Sequence, residues 1–335
     1  MKHRTRETMN AVTCRRYGPP EVLHLTEAPI PTPGKGEIRV RVRAVAITSA
    51  DARIRGMNLP RGFGILGRLI FGVTGPRQPI LGAAFAGTIE QAGPNTRKYR
   101  VGDDVFGING VRMGAYAEYL CLSENAALAP KPHALSFEAA AALPFGGTTA
   151  LDYWRRASVK AGEKVLIIGA AGSVGTAMVQ LARLAGARVT AVCSGNNATL
   201  MQSLGAERVI DYTREDVLRR QDRYDIIADV VGRAPWAPYM NALNPGGRLL
   251  LLSADLPALL LAPWRSYRNK RNIITGPATE RAEDIDALGR LAVEGALDPV
   301  LERVVMLDQI PGVHHDIDTR HKRGNVVAVT ARKER

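Results

Sequence analysis

Cysteine is scarce in this chain: Cys14, Cys121 and Cys193 are the only three, and they lie far apart. No pair has metal-ligand spacing, and an odd number does not suit a disulfide framework. A reducing compartment fits. Histidine is also thin, with none of the six between His24 and His133. No apolar run reaches the roughly 18 residues that a membrane-spanning helix needs. The polar, basic stretch Met1–Asn10 lacks the apolar core of a secretory signal. It reads as a short tail, and a cytoplasmic location is the expectation. Aromatic residues make up only 5%. The basic clusters Lys2–Arg6, Arg265–Arg271 and Arg320–Arg323 therefore lack the interleaved stacking platform of a nucleic-acid binder. Nucleic acid is not the expected partner.

What remains is an ordinary soluble composition, with 46% hydrophobic and 23% charged residues over 335 positions, a length that suits two domains. Lys and Arg number 45 against 32 Asp and Glu, a formal net charge of +13. Such a balance favours anions, including phosphorylated cofactors and acidic membrane surfaces.

The first third reads as short strands separated by glycine and proline turns. Ile38, Val40 and Val42 alternate with Arg39, Arg41 and Arg43, the pattern of a half-buried strand. Further strands are expected near 84–92, 104–107 and 117–122, and together they suggest a small barrel or sandwich. Between them, Gly56–Pro79 is apolar, and Arg61, Arg68 and Arg77 are its only charges. It reads either as a helix–loop packed on the domain or as a wall over an apolar substrate, with contact to an anionic membrane as a further expectation.

Near Pro130 the style changes. Ser136–Leu143 reads as a helix, and strands and helices then alternate through Arg248–Ser253, with a helix expected at 216–220. The buried runs Val165–Ile168 and Leu249–Leu252 suit a parallel sheet covered on both faces. This is the pattern of a doubly wound α/β domain. Ala282–Val293 reads as a helix and Val326–Val329 as a last strand, so the chain is expected to return to its first domain. The expected divisions are 1–128, 129–277 and 278–335.

The sharpest chemical signal is Val165-Leu166-Ile167-Ile168-Gly169-Ala170-Ala171-Gly172-Ser173-Val174-Gly175. A strand, a glycine turn and a helix start follow in order, the context that makes A-x-G-x-x-G a dinucleotide motif. Gly172 lets backbone approach a pyrophosphate, Gly175 lets the helix pack on the strand, and the helix N-terminus faces the phosphates. After the next strand, Ser194, Gly195, Asn196 and Asn197 carry no carboxylate that would claim a ribose 2′-hydroxyl and repel a 2′-phosphate. NADPH is the expected cofactor.

From Ala11 to Val329 the chain resembles the zinc-free quinone-oxidoreductase type of medium-chain dehydrogenase/reductase. The resemblance rests on an ordered set of strings: Tyr17–Leu23, Val101–Gly107, Gly114–Tyr119, Ala139–Pro144, Gly169–Gly175, Leu204–Ala206, Val209–Tyr212, Leu243–Arg248 and His321–Val327. It implies an α/β fold made of a GroES-like β domain and a Rossmann doubly wound parallel sheet, with cofactor and substrate in the cleft between them. It also implies a homodimer through the Rossmann sheet edge, at Leu259–Thr275.

Residue by residue, the resemblance places Ala171, Gly172, Ser173, Val174 and Gly175 at the pyrophosphate. Ser194 and Tyr212 flank the 2′-phosphate, with Asn197 at a position that is often basic and Arg320 at a second basic position. Thr148 is placed near the carboxamide, and Ser253 and Asn325 near the nicotinamide. Where zinc-dependent relatives carry a cysteine, this chain has Thr48, and their His-Glu pair is replaced within Leu81–Gly87. No metal is therefore expected. Thr48 and Asp51 are the candidate catalytic side chains, with an interdomain contact as the other reading of Asp51. The implied activity is reduction of a small apolar quinone, enone or other activated carbonyl. Two alternatives stay open: a zinc-free dehydrogenase of another alcohol/carbonyl pair, and an NADPH-binding protein without turnover.

Overall fold

The computed structural model describes residues 8–217, 222–232, 236–319 and 322–330. Two sheets divide the chain. The first has seven strands: β3 (Glu37–Ile47), β4 (Ala84–Ala92), β5 (Asp104–Ile108), β6 (Tyr119–Ser123), β7 (Ala127–Pro130), β14 (Leu301–Met306) and β15 (Asn325–Val329). Its order is β14-β15-β3-β4-β5-β7, with β6 also paired to β3. A separate hairpin of β1 (Thr8–Cys14) and β2 (Leu23–Pro29) joins it through bridges at Ala11–Ala117 and Thr13–Ile80.

The alternation in β3 does what its sequence asks. Ile38, Val40 and Val42 are fully buried, while Arg41 and Arg43 face water. From Ala44 onward both faces are covered. Val45 and Ile47 join the core of the β domain, whereas Ala44 and Ala46 pack into a second core shared with the α/β domain. The last strand, β15, runs antiparallel along β3, pairing Val326 with Ile47 and Val329 with Ala44.

The second sheet is all parallel, in the order β10-β9-β8-β11-β12-β13. Its strands are β8 (Lys164–Ile168), β9 (Arg188–Cys193), β10 (Arg208–Asp211), β11 (Tyr224–Asp229), β12 (Leu243–Leu251) and β13 (Asn272–Thr275). This order is that of the Rossmann fold, with its switch point between β8 and β11. Ligands in such sheets bind beyond the carboxyl ends of the strands, where the glycine turn after β8 lies.

Helix α3 (Phe137–Ala157) is much longer than the segment expected from the sequence. Pro144 sits inside it rather than ending it. Proline removes a helix hydrogen bond and crowds the previous turn. Here tertiary packing overrides that cost, because most residues from Ala140 to Trp154 are buried between the two sheets.

The Gly56–Pro79 segment contains helix α2 (Gly64–Phe71), which follows α1 (Ser49–Gly56). Its side chains Ile65, Leu66, Leu69 and Ile70 are exposed, and only Gly67 is buried. The wall over a cavity is formed instead by Asn58–Arg61, before α2. After the helices of the α/β alternation, α4 (Ser173–Leu184), α5 (Ala198–Ser203) and α6 (Trp236–Ala242), comes one that the sequence pattern did not reveal, α7 (Leu256–Asn269), which begins beside this wall, with Leu256 N donating to Arg61 O at 2.9 Å. The helix expected at 216–220 lies partly outside the described residues, as does Arg320. No described helix is long and apolar enough to cross a membrane.

Candidate active site

The glycine turn has the two properties its sequence requires. Gly169 has φ +83°, a backbone that L side chains rarely adopt. Gly172 caps α4 (Ser173–Leu184), and a Cβ there would meet only Gly169 O, at 3.9 Å. At Gly175 a Cβ would lie 2.3 Å from Gly169 O and 2.6 Å from Ala170 C. One glycine therefore keeps open the space in front of the helix, and the other lets the helix press onto the strand turn. The first-turn N–H groups of α4 have no carbonyl ahead of them, so the turn is a ready anion site.

The returning segment closes over this turn. Gly324 N donates to Ala171 O at 2.8 Å, and Ser173 Oγ donates to Gly324 O at 2.9 Å. Lys322 Nζ donates to Ser173 Oγ at 2.9 Å and to Gly324 O at 2.8 Å. Burial pushes its ammonium down to about 8, against the opposing pull of Glu302 and Asp51. A cation held against a helix N-terminus is poised for an anion between them. Sequence reading passed over Lys322, although it lies in the His321–Val327 string, because its place depends on β15 reaching the first domain.

The turn after β9 brings Ser194 and Asn197 together, with Asn197 Nδ2 donating to Ser194 Oγ at 2.9 Å. Tyr212 lies at the end of the neighbouring strand and is exposed. That strand also delivers a carboxylate that the linear reading had not placed here. A Cβ on Gly195 would lie 2.5 Å from Asp211 Oδ2. Asp211 is held below the usual carboxylate range by hydrogen bonds from Thr213, with Gly195 N–H and Arg214 adding to the effect.

Thr48 and Asp51 form the capping box of α1. Thr48 Oγ1 donates to Asp51 Oδ2 at 2.6 Å, and Thr48 N donates to the same oxygen at 2.8 Å. Both side chains are buried, and neither lines the cavity. Burial raises the Asp51 carboxyl, against hydrogen bonds from Thr48, Tyr116 and Gly82. Behind them, Tyr116 Oη and His314 Nε2 are hydrogen-bonded at 3.1 Å, and Arg55 Nη2 pairs with Asp318 at 2.6 Å. This network braces the β domain.

Two residues further along α1, Arg53 does reach the cleft. It helps to line a cavity of about 420 Å³ at the carboxyl ends of β11 and β12. Ser253 lies in the same wall and accepts from Arg53 Nη1 at 3.1 Å. Leu59, Pro60, Leu251, Ala254 and Ala258 supply apolar surface. Thr148 is buried and back-bonds Pro144 O at 2.7 Å. Asn325 donates its amide to Pro299 O at 2.6 Å. The structure thus joins the glycine turn to the returning segment and Ser253 to Arg53, while Thr148 and Asn325 bond to neighbouring backbone.

Residues 34–133 match the alcohol dehydrogenase GroES-like domain, and residues 204–327 match a domain described as zinc-binding dehydrogenase. A trans-enoyl reductase of Aspergillus terreus is 31% identical over 294 residues, 78% of this chain and 79% of that one. The chain is a medium-chain dehydrogenase/reductase. Among solved members of this fold, the quinone oxidoreductase of Coxiella burnetii superposes with a TM-score of 0.88 at 29% identity, over 97% of this chain and all of that one. The chloroplastic NADPH-dependent alkenal/one oxidoreductase of Arabidopsis thaliana is 31% identical over 53% of this chain and 48% of its own length. This medium-chain reductase is an NAD(P)H-dependent oxidoreductase with a GroES-like and a Rossmann domain.

Proposed function

We propose that the chain reduces an activated double bond, an enone or a quinone, with NADPH and without zinc. The observation that carries the reading is the glycine cradle opening beside a cavity walled by both domains. Bound in the cradle, the dinucleotide supplies the hydride. The amides of α4 and Lys322 receive its pyrophosphate. Ser194, Asn197 and Tyr212 stand at the adenosine end. Ser253 and Arg53 stand at the reacting end, and the apolar wall from Leu59 to Ala258 excludes water there. Positioning and a dry site are what such a chain contributes to the reaction.

The residues do not fit zinc. Thr48 is bonded to Asp51, and no three His, Cys, Asp or Glu cluster as ligands among the described residues. Quinones and enones are electrophilic enough to react without a Lewis acid, which favours them over unactivated alcohols. The uncharged Ser194–Asn197 turn supports NADPH, and Asp211 opposes it. Titration with NADPH and NADH, followed by 9,10-phenanthrenequinone or an alkenone, tests both parts. Acceptor-dependent oxidation of NADPH is expected, and Asp211→Asn shifts preference further towards NADPH. Binding without oxidation by any acceptor would refute the reductase and leave a binding protein.

The outer edge of β13 is unpaired among the described residues, and Leu260, Trp264 and Tyr267 of α7 are exposed beside it. These features support the homodimer. Light scattering behind a sizing column is expected to give twice the chain mass, and a monomer would refute it.

A further inference from the structure

Building on that reductase reading, we infer that the substrate carries a carboxylate, and that Arg53 is the residue that binds it. Arg53 crosses from α1 to the Rossmann wall, where its one side-chain hydrogen bond among the described residues is to Ser253 Oγ. No carboxylate pairs with it among the described residues, although it is largely withdrawn from water and desolvation pulls its guanidinium down. A second arginine, Arg61, lines the same cavity. Their acidic neighbours there are already committed. Asp229 accepts from Val231 N at 3.0 Å, Gly232 N at 2.8 Å and Tyr239 Oη at 3.1 Å. Asp255 accepts from Ala258 N at 2.8 Å as the cap of α7.

The cofactor does not supply the missing partner. Its phosphates belong to the turn at Gly172, which is not part of this cavity, and a reduced nicotinamide ring is neutral. A withdrawn guanidinium with unused donors favours a planar anion, and the fork of arginine matches a carboxylate. The apolar remainder of the wall suits a short unsaturated carbon chain. The fitting class is therefore an α,β-unsaturated ketone or enoyl compound with a carboxylate on or next to the alkene. Hydride from the cofactor adds to one alkene carbon, a solvent proton adds to the other, and the products are the saturated acid and the oxidised cofactor.

The test uses the full chain with NADPH and a matched pair, 4-oxopent-2-enoate and the isosteric 4-oxopent-2-enamide. The wild type is expected to favour the acid in kcat/KM by roughly 10- to 100-fold, the usual reach of a charge-assisted hydrogen bond. Arg53→Gln collapses that ratio towards one, and Arg53→Lys, which keeps charge but not the fork, leaves an intermediate ratio. Calorimetric binding of the saturated acid, 4-oxopentanoate, to the oxidised-cofactor complex provides a readout independent of turnover. It is expected in the wild type and lost in Arg53→Gln. Equal use of acid and amide, or a weakened NADPH Kd in Arg53→Gln with equal loss on both compounds, would overturn the assignment. If phenanthrenequinone is reduced but the saturated acid does not bind, the reductase stands and the carboxylate site falls. If no acceptor oxidises NADPH, the reductase falls, and acid binding alone decides the role of Arg53.

Discussion

Gly172→Ala is expected to leave thermal unfolding where it is and to weaken NADPH binding by roughly 10- to 100-fold, whereas Gly175→Ala impairs both. The two glycines are three residues apart and do opposite work. Gly172 has φ −83° and ψ 175°, a conformation alanine adopts freely, and its methyl would touch nothing closer than 3.9 Å. Folding should not register it. The methyl would fill the space through which backbone approaches a pyrophosphate, and charge-assisted bonds to that anion would lengthen or break. At 175 the neighbours are Gly169 O and the carbonyl of Ala170, backbone atoms that cannot swing aside. Alanine improves intrinsic helix propensity by about 1 kcal/mol. Overpacking against rigid backbone costs about 1–3 kcal/mol and should outweigh it. A fall of several degrees in Tm is expected alongside the loss of binding. Calorimetry and fluorescence titration on the two variants check this, and normal NADPH binding by Gly172→Ala would remove the cofactor from this turn.

Stability is expected to fall on acidification from pH 7 to pH 5, with His314 as the largest single contributor. Its imidazole is wholly buried, and desolvation, aided by the charge of Arg55, lowers it to about 3. An unfolded chain protonates the same ring near 6.5. Between these values the unfolded state holds one more proton than the folded state, so stability rises with pH across the window. The contribution is complete above about 6.5, declines as the pH falls, and is gone near 3. The slope from one such group approaches about 1.4 kcal/mol per pH unit. Asp51 works the other way, because burial raises its carboxyl and the folded state then keeps a proton that the unfolded state releases. Its opposition is confined to pH values above the ordinary carboxylate range and up to its own raised value. Urea unfolding at pH 7, 6 and 5 should give a positive slope in the wild type and a flatter one in His314→Gln. Parallel slopes would show that the imidazole does not carry the effect.

Local pattern made the Rossmann core legible. The β8–glycine–α4 junction needs only a strand, three spaced glycines or alanines and an amphipathic helix, all between Lys164 and Leu184. The alternation of β3 was equally direct. Elements whose apolar side chains do not point into a core were not legible, and α7, with Leu260 and Trp264 exposed, is the clearest case. The helix expected at Ser136–Leu143 fell short for a different reason, since packing on both sides of α3 carries it through Pro144. At the site, the phosphate cradle was readable because its chemistry is backbone chemistry. Asp211 and Lys322 were not, because each reaches its place through a neighbouring strand. Thr48 and Asp51 drew attention by position, while the side chain that enters the cavity from the same helix is Arg53.

The pairing of β15 with β3 also has a consequence for synthesis on the ribosome. Strand β3 emerges early, but one of its neighbours is separated from it by nearly the whole chain. The parallel α/β domain lies between them and finishes emerging first. During that interval the flank of β3 presents Ala44–Ile47 with a row of open backbone groups, the kind of edge that recruits foreign strands. The nascent protein should therefore depend most on chaperones after the parallel sheet has formed and before residues 325–329 arrive.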